Sequence, residues 1–291
     1  MPSHPATIYA GGELDGDPRS GAIYVSQDSG VTWSFLHLFE KSPVFAIAVD
    51  PMVSTNLYVG GSLCSNSSVN PCRGFVSRSL DGGATWGSSP LFSWASSVTS
   101  LVIHPSQPRR LYAGTDYGLL YSNDSGMTWS GRFGSVGTMP QRVEINCIAM
   151  DPANPQIIYV GWHIPPCGFF ITDCNGPFGE GGAAVSVDGG SRWRNLDTPA
   201  QVRSLVVHPK SPETLYIASD LGPGGIYRSR DGGATWTRLG DLLGALAIQF
   251  DPLRGVLYAA TLGVFEYEDT PPMPPSRILN SRRARELPSR H

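Results

Sequence analysis

Short, nearly continuous apolar runs recur along the chain, each ending in Asp-Pro or His-Pro: FAIAVDP at 45–51, SLVIHP at 100–105, CIAMDP at 147–152, SLVVHP at 204–209 and LAIQFDP at 246–252. Runs of this length fit innermost strands covered on both faces. A second apolar strand of the type LYVGG follows each, and the segments IYAGG, LYVGG, LYAGT, IYVGW, LYIAS and LYAAT mark six units. A third strand leads into an octapeptide of the pattern Ser-x-Asp-x-Gly-x-Thr-Trp, and a fourth follows its tryptophan. The octapeptide occurs at 26–33, 79–86, 122–129, 186–193 and 229–236, with intervals of 53, 43, 64 and 43 residues between aspartates. Four strands per unit at a period of forty-odd residues predict an all-β fold, a β-propeller of about six four-stranded blades. The first unit starts at HPATIY without an inner strand, and the last stops after GVFEYE at 263–268 without octapeptide or outer strand. The closure seam is therefore expected to be ragged, or the chain to be part of a longer protein. Residues 1–269 are assigned to the propeller and 270–291, rich in Pro and Arg, to a disordered tail.

The residue types of the octapeptide follow from its turn. Asp28, Asp81, Asp124, Asp188 and Asp231 can accept hydrogen bonds from amides of their own turn, and the glycines after them permit a left-handed backbone. Trp33, Trp86, Trp129, Trp193 and Trp236 then open the outer strand and are expected to wedge between neighbouring blades. All ten residues are read as structural, with cation binding by the aspartate turns as the alternative.

Composition narrows the function classes. The 34 Gly, 25 Pro, 41% apolar and 15% charged residues describe many short strands joined by tight turns. A net charge of -3 with no basic block inside the repeats argues against a nucleic-acid partner. The longest apolar candidate, LLGALAIQF at 242–250, falls far short of the roughly 20 residues of a membrane span and reads as a buried strand. No metal motif, phosphate-binding loop or Ser-His-Asp constellation is visible, so neither metal nor cofactor is expected, and the protein is read as a monomer.

The layout over residues 7–267 resembles the Asp-box family, the bacterial neuraminidase repeats shared by sialidases, xyloglucan-cleaving glycosidases, the sortilin luminal domain and photosystem II assembly factors. The resemblance implies a propeller with Asp-box turns. It says little about activity, since the same box serves unrelated functions.

Cys64 and Cys72 lie eight apart in one polar loop, and Cys167 and Cys174 seven apart in a second loop rich in Gly and Pro. Two local disulfides are expected, which implies an extracytoplasmic or secreted protein. The opening MPSHPATIYAGG, with neither a basic nor an apolar leader region, points the other way. Free thiols are the alternative, and zinc is disfavoured because neither pair has CxxC spacing. Cys147, in INCIAM, reads as a small core residue.

Both long insertions, 62–74 and 163–182, fall between second and third strands, so both are placed on the same end of the torus. That end also gathers Glu13, Asp15, Asp17, Trp94, Asp116, Tyr117, Trp162, His163, Asp173, Glu180 and Asp220. Aromatic rings beside carboxylates suit a sugar-binding groove, and a carboxylate pair can serve as acid and base on a glycosidic bond. Asp116, Asp173, Glu180 and Glu144 are the catalytic candidates, and Trp94, Tyr117, Trp162, His163, Arg142 and Arg203 the ligand-binding ones. Arg142, Glu144 and Arg203 are expected to point toward the central channel, either as an ion pair rimming it or, as in sialidases, as a clamp on a substrate carboxylate. The Arg-Ile-Pro motif of sialidases is missing, Arg19 lying in GDPRSG instead. His104 and His208 precede Pro where other units carry Asp, and read as turn residues. Two functions follow: a ligand-binding propeller without catalysis that holds a glycan or protein on the insertion face, which is preferred, and a glycoside hydrolase of the xyloglucanase or sialidase type.

Overall fold

The computed structural model describes residues 7–14, 17–64, 72–88, 92, 95–132, 143–164, 181–220, 222–242, 244–261 and 263–268. The expected disulfide Cys167–Cys174 and the tail 270–291 lie outside them. The described residues contain strands and turns and no helix, and so no helix long and apolar enough to cross a membrane.

The strands form six antiparallel sheets, each a run of consecutive strands. The first sheet holds β1 (Ile8–Leu14), β2 (Asp17–Ser26) and β3 (Ser34–Phe39). The second holds β4 (Val44–Val49), β5 (Leu57–Leu63), β6 (Arg73–Ser79) and β7 (Gly87–Ser88). The third is β8 (Val98–Ile103), β9 (Leu111–Thr115), β10 (Gly118–Ser122) and β11 (Ser130–Arg132). The fourth is β12 (Glu144–Met150), β13 (Ile158–His163), β14 (Gly181–Ser186) and β15 (Arg194–Leu196). The fifth is β16 (Ser204–Val207), β17 (Leu215–Ser219), β18 (Gly225–Ser229) and β19 (Thr237–Leu239), and the sixth β20 (Ala247–Asp251), β21 (Val256–Ala260) and β22 (Val264–Glu268). The three-stranded first and sixth sheets are the two units read as ragged.

Successive sheets pack in order, β4 on β8, β8 on β12, β12 on β16 and β16 on β20. The second strands are buried along nearly their whole length, because a sheet covers each face.

The octapeptide turn closes on itself. Around Asp124, the Ser122 hydroxyl donates to Oδ1 at 2.8 Å while accepting from the Gly126 amide at 2.9 Å. The Thr128 amide donates to Oδ1 at 2.8 Å and its hydroxyl to Oδ2 at 2.5 Å. The same bonds recur around Asp28, Asp81 and Asp231, and Asp188, which has Arg192 in place of the threonine, keeps the backbone part. The backbone is left-handed at Gly126 (φ 78°) and at the residue before it, so that Ser125 and Ser29 adopt positive φ as well. In four of the turns the indole Nε1 donates to the glycine carbonyl three residues back. Four of the five turns are tied to the bend after the first strand of their own sheet, as in Gly82 N to Thr55 O at 2.9 Å and Ser125 N to Arg109 O at 2.9 Å. The insertions therefore leave from the opposite end. In those bends, Asp50, Asp151 and Asp251 accept two amides each. His208 Nδ1 does the same, and His104 Nδ1 accepts from Ser106, which accounts for histidine in an aspartate position.

Trp86, Trp129, Trp193 and Trp236 each pack on the preceding sheet. Trp86 meets His37 and Phe39 of the first sheet, with ring centroids 5.7 and 5.2 Å away, and Trp129 meets Phe92 edge-on at 6.1 Å. Trp193 joins the cluster of Tyr112 and Leu119, and Trp236 that of Tyr159 and Leu196. Trp33 has no described sheet before it and stands exposed. Cys147 packs beside the Val202–Leu205 cluster, and burial pushes its thiol up to about 12.

Hydrogen bonds from their own turns hold the carboxyls of Asp28, Asp81, Asp124 and Asp231 down at about 2, against an ordinary 3.8. A folded value below the unfolded one stabilises the fold above pH 3.8, and that contribution is lost as pH falls from 3.8 through 2. Thermal unfolding followed from pH 6 to 2 is expected to show a flat midpoint down to about pH 4 and a steep fall below it. Trp129→Ala is expected to cost about 3 kcal/mol in urea unfolding, and Trp33→Ala less than about 1 kcal/mol.

Candidate functional site

The inner strands prepare the site with a recurring irregularity. Register slips by one residue between Val44 and Ala46, Val98 and Ser100, and Ile145 and Cys147. A β-bulge of this kind turns one side chain out of the ladder. Counting five residues back from each Asp-Pro or His-Pro, the bulge positions are Phe45, Thr99, Asn146, Arg203 and Leu246. Their side chains reach across sheet boundaries: Thr99 Oγ1 donates to Ile145 O at 2.6 Å, and Asn146 Nδ2 to Val202 O at 2.8 Å. Phe45 and Leu246 are exposed instead. The bulge therefore both links sheets and lines the inner wall. Its sequence signal, a fixed distance before Pro, was available but looks unremarkable because the five side chains differ in kind.

Above this layer lies the insertion end. Glu144, first residue of β12, pairs in register with His163, last residue of β13, and His163 Nε2 stands 3.7 Å from Glu144 Oε2. His163 is only 7% exposed and its Nδ1 is buried without a hydrogen-bond partner. Burial pushes the imidazole pKa down, Arg203 adds to that, and Asp220 opposes it, so the ring is neutral at neutral pH. Arg203 Nε donates to Asp220 Oδ1 at 2.8 Å. Glu144, His163, Arg203 and Asp220 thus form one electrostatically connected group across the fourth and fifth sheets. Arg203 does not occupy the place in its unit that Glu144 has in the previous one: the counterpart of Glu144 is Gln201, and that of Arg203 is Asn146.

Between the second, third and fourth sheets an open cavity of about 490 Å3 is walled by Phe45, Ser97, Thr99, Glu144 and the Cys64–Cys72 disulfide. The disulfide is the one expected from the sequence, and Cys64 N donates to Lys41 O at 3.0 Å, tying its loop to the strand entry beside it. An apolar ring, hydroxyls and a carboxylate around one opening suit a sugar: the ring stacks on carbon faces and the polar groups bind hydroxyls.

The other candidates distribute as follows. Asp116 Oδ1 accepts the amides of Ser96 (2.8 Å) and Ser97 (3.1 Å), pinning the link that enters the third sheet. Tyr117 is half-buried against the cluster of Tyr58 and Phe92. Trp162 is buried in the core between the third and fourth sheets. Trp94, Arg142, Asp173 and Glu180 lie outside the described residues, as do Asp15 and the side chains of Glu13, Asp17 and Arg19.

Among solved structures the chain is similar to the GH74 xyloglucanase of Xanthomonas campestris, with TM-score 0.67 and 18% identity over 91% of this chain and 43% of that one. The structure of YCF48 bound to D1 peptide is similar at TM-score 0.55 and 15% identity, over 91% of this chain and 79% of that one. The fold is that of a β-propeller. In sequence, the chain is 30% identical over 208 residues to a xyloglucanase of a Paenibacillus species, covering 68% of this chain and 16% of the relative. It is 28% identical over 238 residues to xyloglucanase Xgh74A of Acetivibrio thermocellus, covering 78% and 23%. The chain spans between 16% and 24% of the length of the curated relatives it matches. No family model matches it. The likeness to xyloglucanases favours the glycoside hydrolase reading over the non-catalytic one.

The linked charges set a sign that NMR can check. Arg203→Ala is expected to raise the pKa of His163 and Asp220→Asn to lower it, read from imidazole carbon-bound proton shifts against pH.

Proposed function

We propose that this chain is an Asp-box β-propeller that binds and cleaves a glucan of the xyloglucan type across its insertion end, outside the cytoplasm. The observation that carries this reading is that the matching curated relatives are xyloglucanases, one of them 30% identical over 68% of the chain. The cavity beneath the disulfide supports it, since it presents Phe45 as a stacking surface and Glu144 as a carboxylate.

Glycoside hydrolysis uses two carboxyl groups on opposite sides of the bond, about 5 Å apart for retention and about 6.5–9.5 Å for inversion. In this reading Glu144 is one of them. Asp116 and Asp220 are committed to backbone amides and to Arg203 respectively. The second is therefore assigned to Asp173 or Glu180, on the insertion that leaves β13 immediately after His163. The neutral His163 stands 3.7 Å from this carboxyl and adds no charge beside it. The propeller unit comprises residues 1–269, and the disulfide fits an oxidising compartment.

A second reading rests on the peptide complex, whose chain is covered to 79%, against 43% for the Xanthomonas campestris GH74 xyloglucanase. In that case the same end holds an extended peptide, running beside the Arg203–Asp220 pair.

Incubating the chain with xyloglucan oligosaccharides distinguishes the readings. Turnover is expected, read as new reducing ends, and Glu144→Gln is expected to lower it about 10²- to 10⁴-fold while leaving retention in xyloglucan affinity electrophoresis intact. Phe45→Ala is expected to weaken retention. Retention without turnover in the unaltered chain would leave a non-catalytic glycan module, and absence of both would turn the assignment to the peptide.

A further inference from the structure

At their octapeptide ends the joints between sheets agree. Arg78 Nη1 donates to Ser125 O at 3.1 Å between the second and third sheets, and Tyr112 OH donates to Gly189 O at 3.0 Å between the third and fourth. Ser125 and Gly189 are the same position of the octapeptide. At the inner layer the joints differ. The bulge residues Thr99 and Asn146 each donate to a backbone carbonyl of the next unit, whereas Phe45, in the same position, carries no donor and is 47% exposed. The second and third sheets thus forgo that bond where the cavity of about 490 Å3 opens between them.

Another set of contacts spans this gap. The link 95–97, which enters β8, is gripped from both sides. From the second sheet, Ser62 Oγ donates to Ser96 O at 2.6 Å and Gly74 N to Ala95 O at 2.7 Å. From the third, Asp116 Oδ1 accepts the amides of Ser96 and Ser97. Ser62 and Asp116 hold the same place in their units, four residues after Tyr58 and Tyr112. The approach is close enough that a Cβ on Gly74 would fall 3.2 Å from the Ser97 carbonyl carbon. Ser62, only 5% exposed, is itself held: its amide donates to Pro43 O at 3.2 Å, and Cys64 Sγ stands 3.6 Å from its hydroxyl. In the β5–β6 ladder Leu63 pairs with Arg73, so the Cys64–Cys72 disulfide adds the next rung and locks the ladder beside Ser62. Among the described residues the bridge takes no part in the hydrophobic cluster beneath it, built from Ile23, Val44, Val59 and Phe75. Its covalent tie therefore acts on the cavity wall.

We propose that Ser62 and the Cys64–Cys72 disulfide are positioning residues for the ligand cavity: by holding the link 95–97 against the end of β5, they fix the opening between Phe45 on one side and Ser97 and Thr99 on the other. The inference rests on the glycan-binding reading of this cavity. A sugar ring stacked on Phe45 reaches the hydroxyls opposite only when that opening keeps its width, so loosening the link weakens binding without unfolding the sheets.

Amide hydrogen exchange in the full chain tests the grip without any ligand. Two treatments release it: Ser62→Ala, and reduction with dithiothreitol, which gives two electrons and two protons to open the bridge to two thiols and closes to its own cyclic disulfide. Each is expected to speed exchange at Ser96 and Ser97 about tenfold and to leave β5 and β9 unchanged. Retention in xyloglucan affinity electrophoresis is expected to weaken by about the same factor. A Cys64→Ser/Cys72→Ser variant should show the weakened retention from the start and no response to the reagent, which separates this bridge from Cys167 and Cys174. Unchanged exchange at Ser96 and Ser97 under both treatments would overturn the proposal. So would a rise spread over β5 and β9, the mark of general loosening, and so would faster exchange at the link with undiminished retention. A chain that binds no xyloglucan in any state would remove the glycan reading, while exchange at Ser96 and Ser97 would still decide whether Ser62 and the bridge hold the link.

Discussion

Within each octapeptide an aspartate takes up the amide and hydroxyl groups of its own turn, and the glycine that follows lets the backbone pass through a left-handed corner. The turn is thereby closed without help from the rest of the molecule. Its outward carbonyl and its tryptophan are left in a fixed relation, and that pair is what the neighbouring sheet receives. A sheet of three or four short strands cannot bury both of its faces alone. Packing sheets in series is what stabilises them, and the turn's tryptophan lies in those joints.

The same serial packing explains where chemistry is possible. In the second to fifth sheets one end is occupied by the octapeptide and the bend bonded to it, which constrains that end. The other end is free of that requirement, and there the chain carries a disulfide-closed loop, the Glu144–His163 and Arg203–Asp220 pairs and an open cavity. His163 stays uncharged because it is buried, with the Arg203 cation adding to that, and Glu144 beside it lines the open cavity.

Much of this was legible in the residues. The spacing of Asp-Pro and His-Pro, the LYVGG strands and the octapeptides outlined the sheets and the two incomplete units. The Cys64–Cys72 bridge and the turn roles of His104 and His208 also followed, because short-range geometry decides them. The site was less legible. Asp116 reads in sequence like any acidic loop residue, yet two amides from the preceding link claim it. Trp162 reads like a binding platform, yet it is buried in the core, with Ile145 and the small Gly182 as its register partners.

The sequence by itself determined the repeat, the turn chemistry and the end of the molecule that varies, since each depends on contacts within forty-odd residues. Only the tertiary structure decided which charged groups meet. The approach of Glu144 to His163 and the coupling of His163 to Arg203 and Asp220 depend on strand register, on bulges and on the packing of one sheet against the next. Those are set by distances across the fold, and only the bulge leaves a local mark, its fixed distance before Pro.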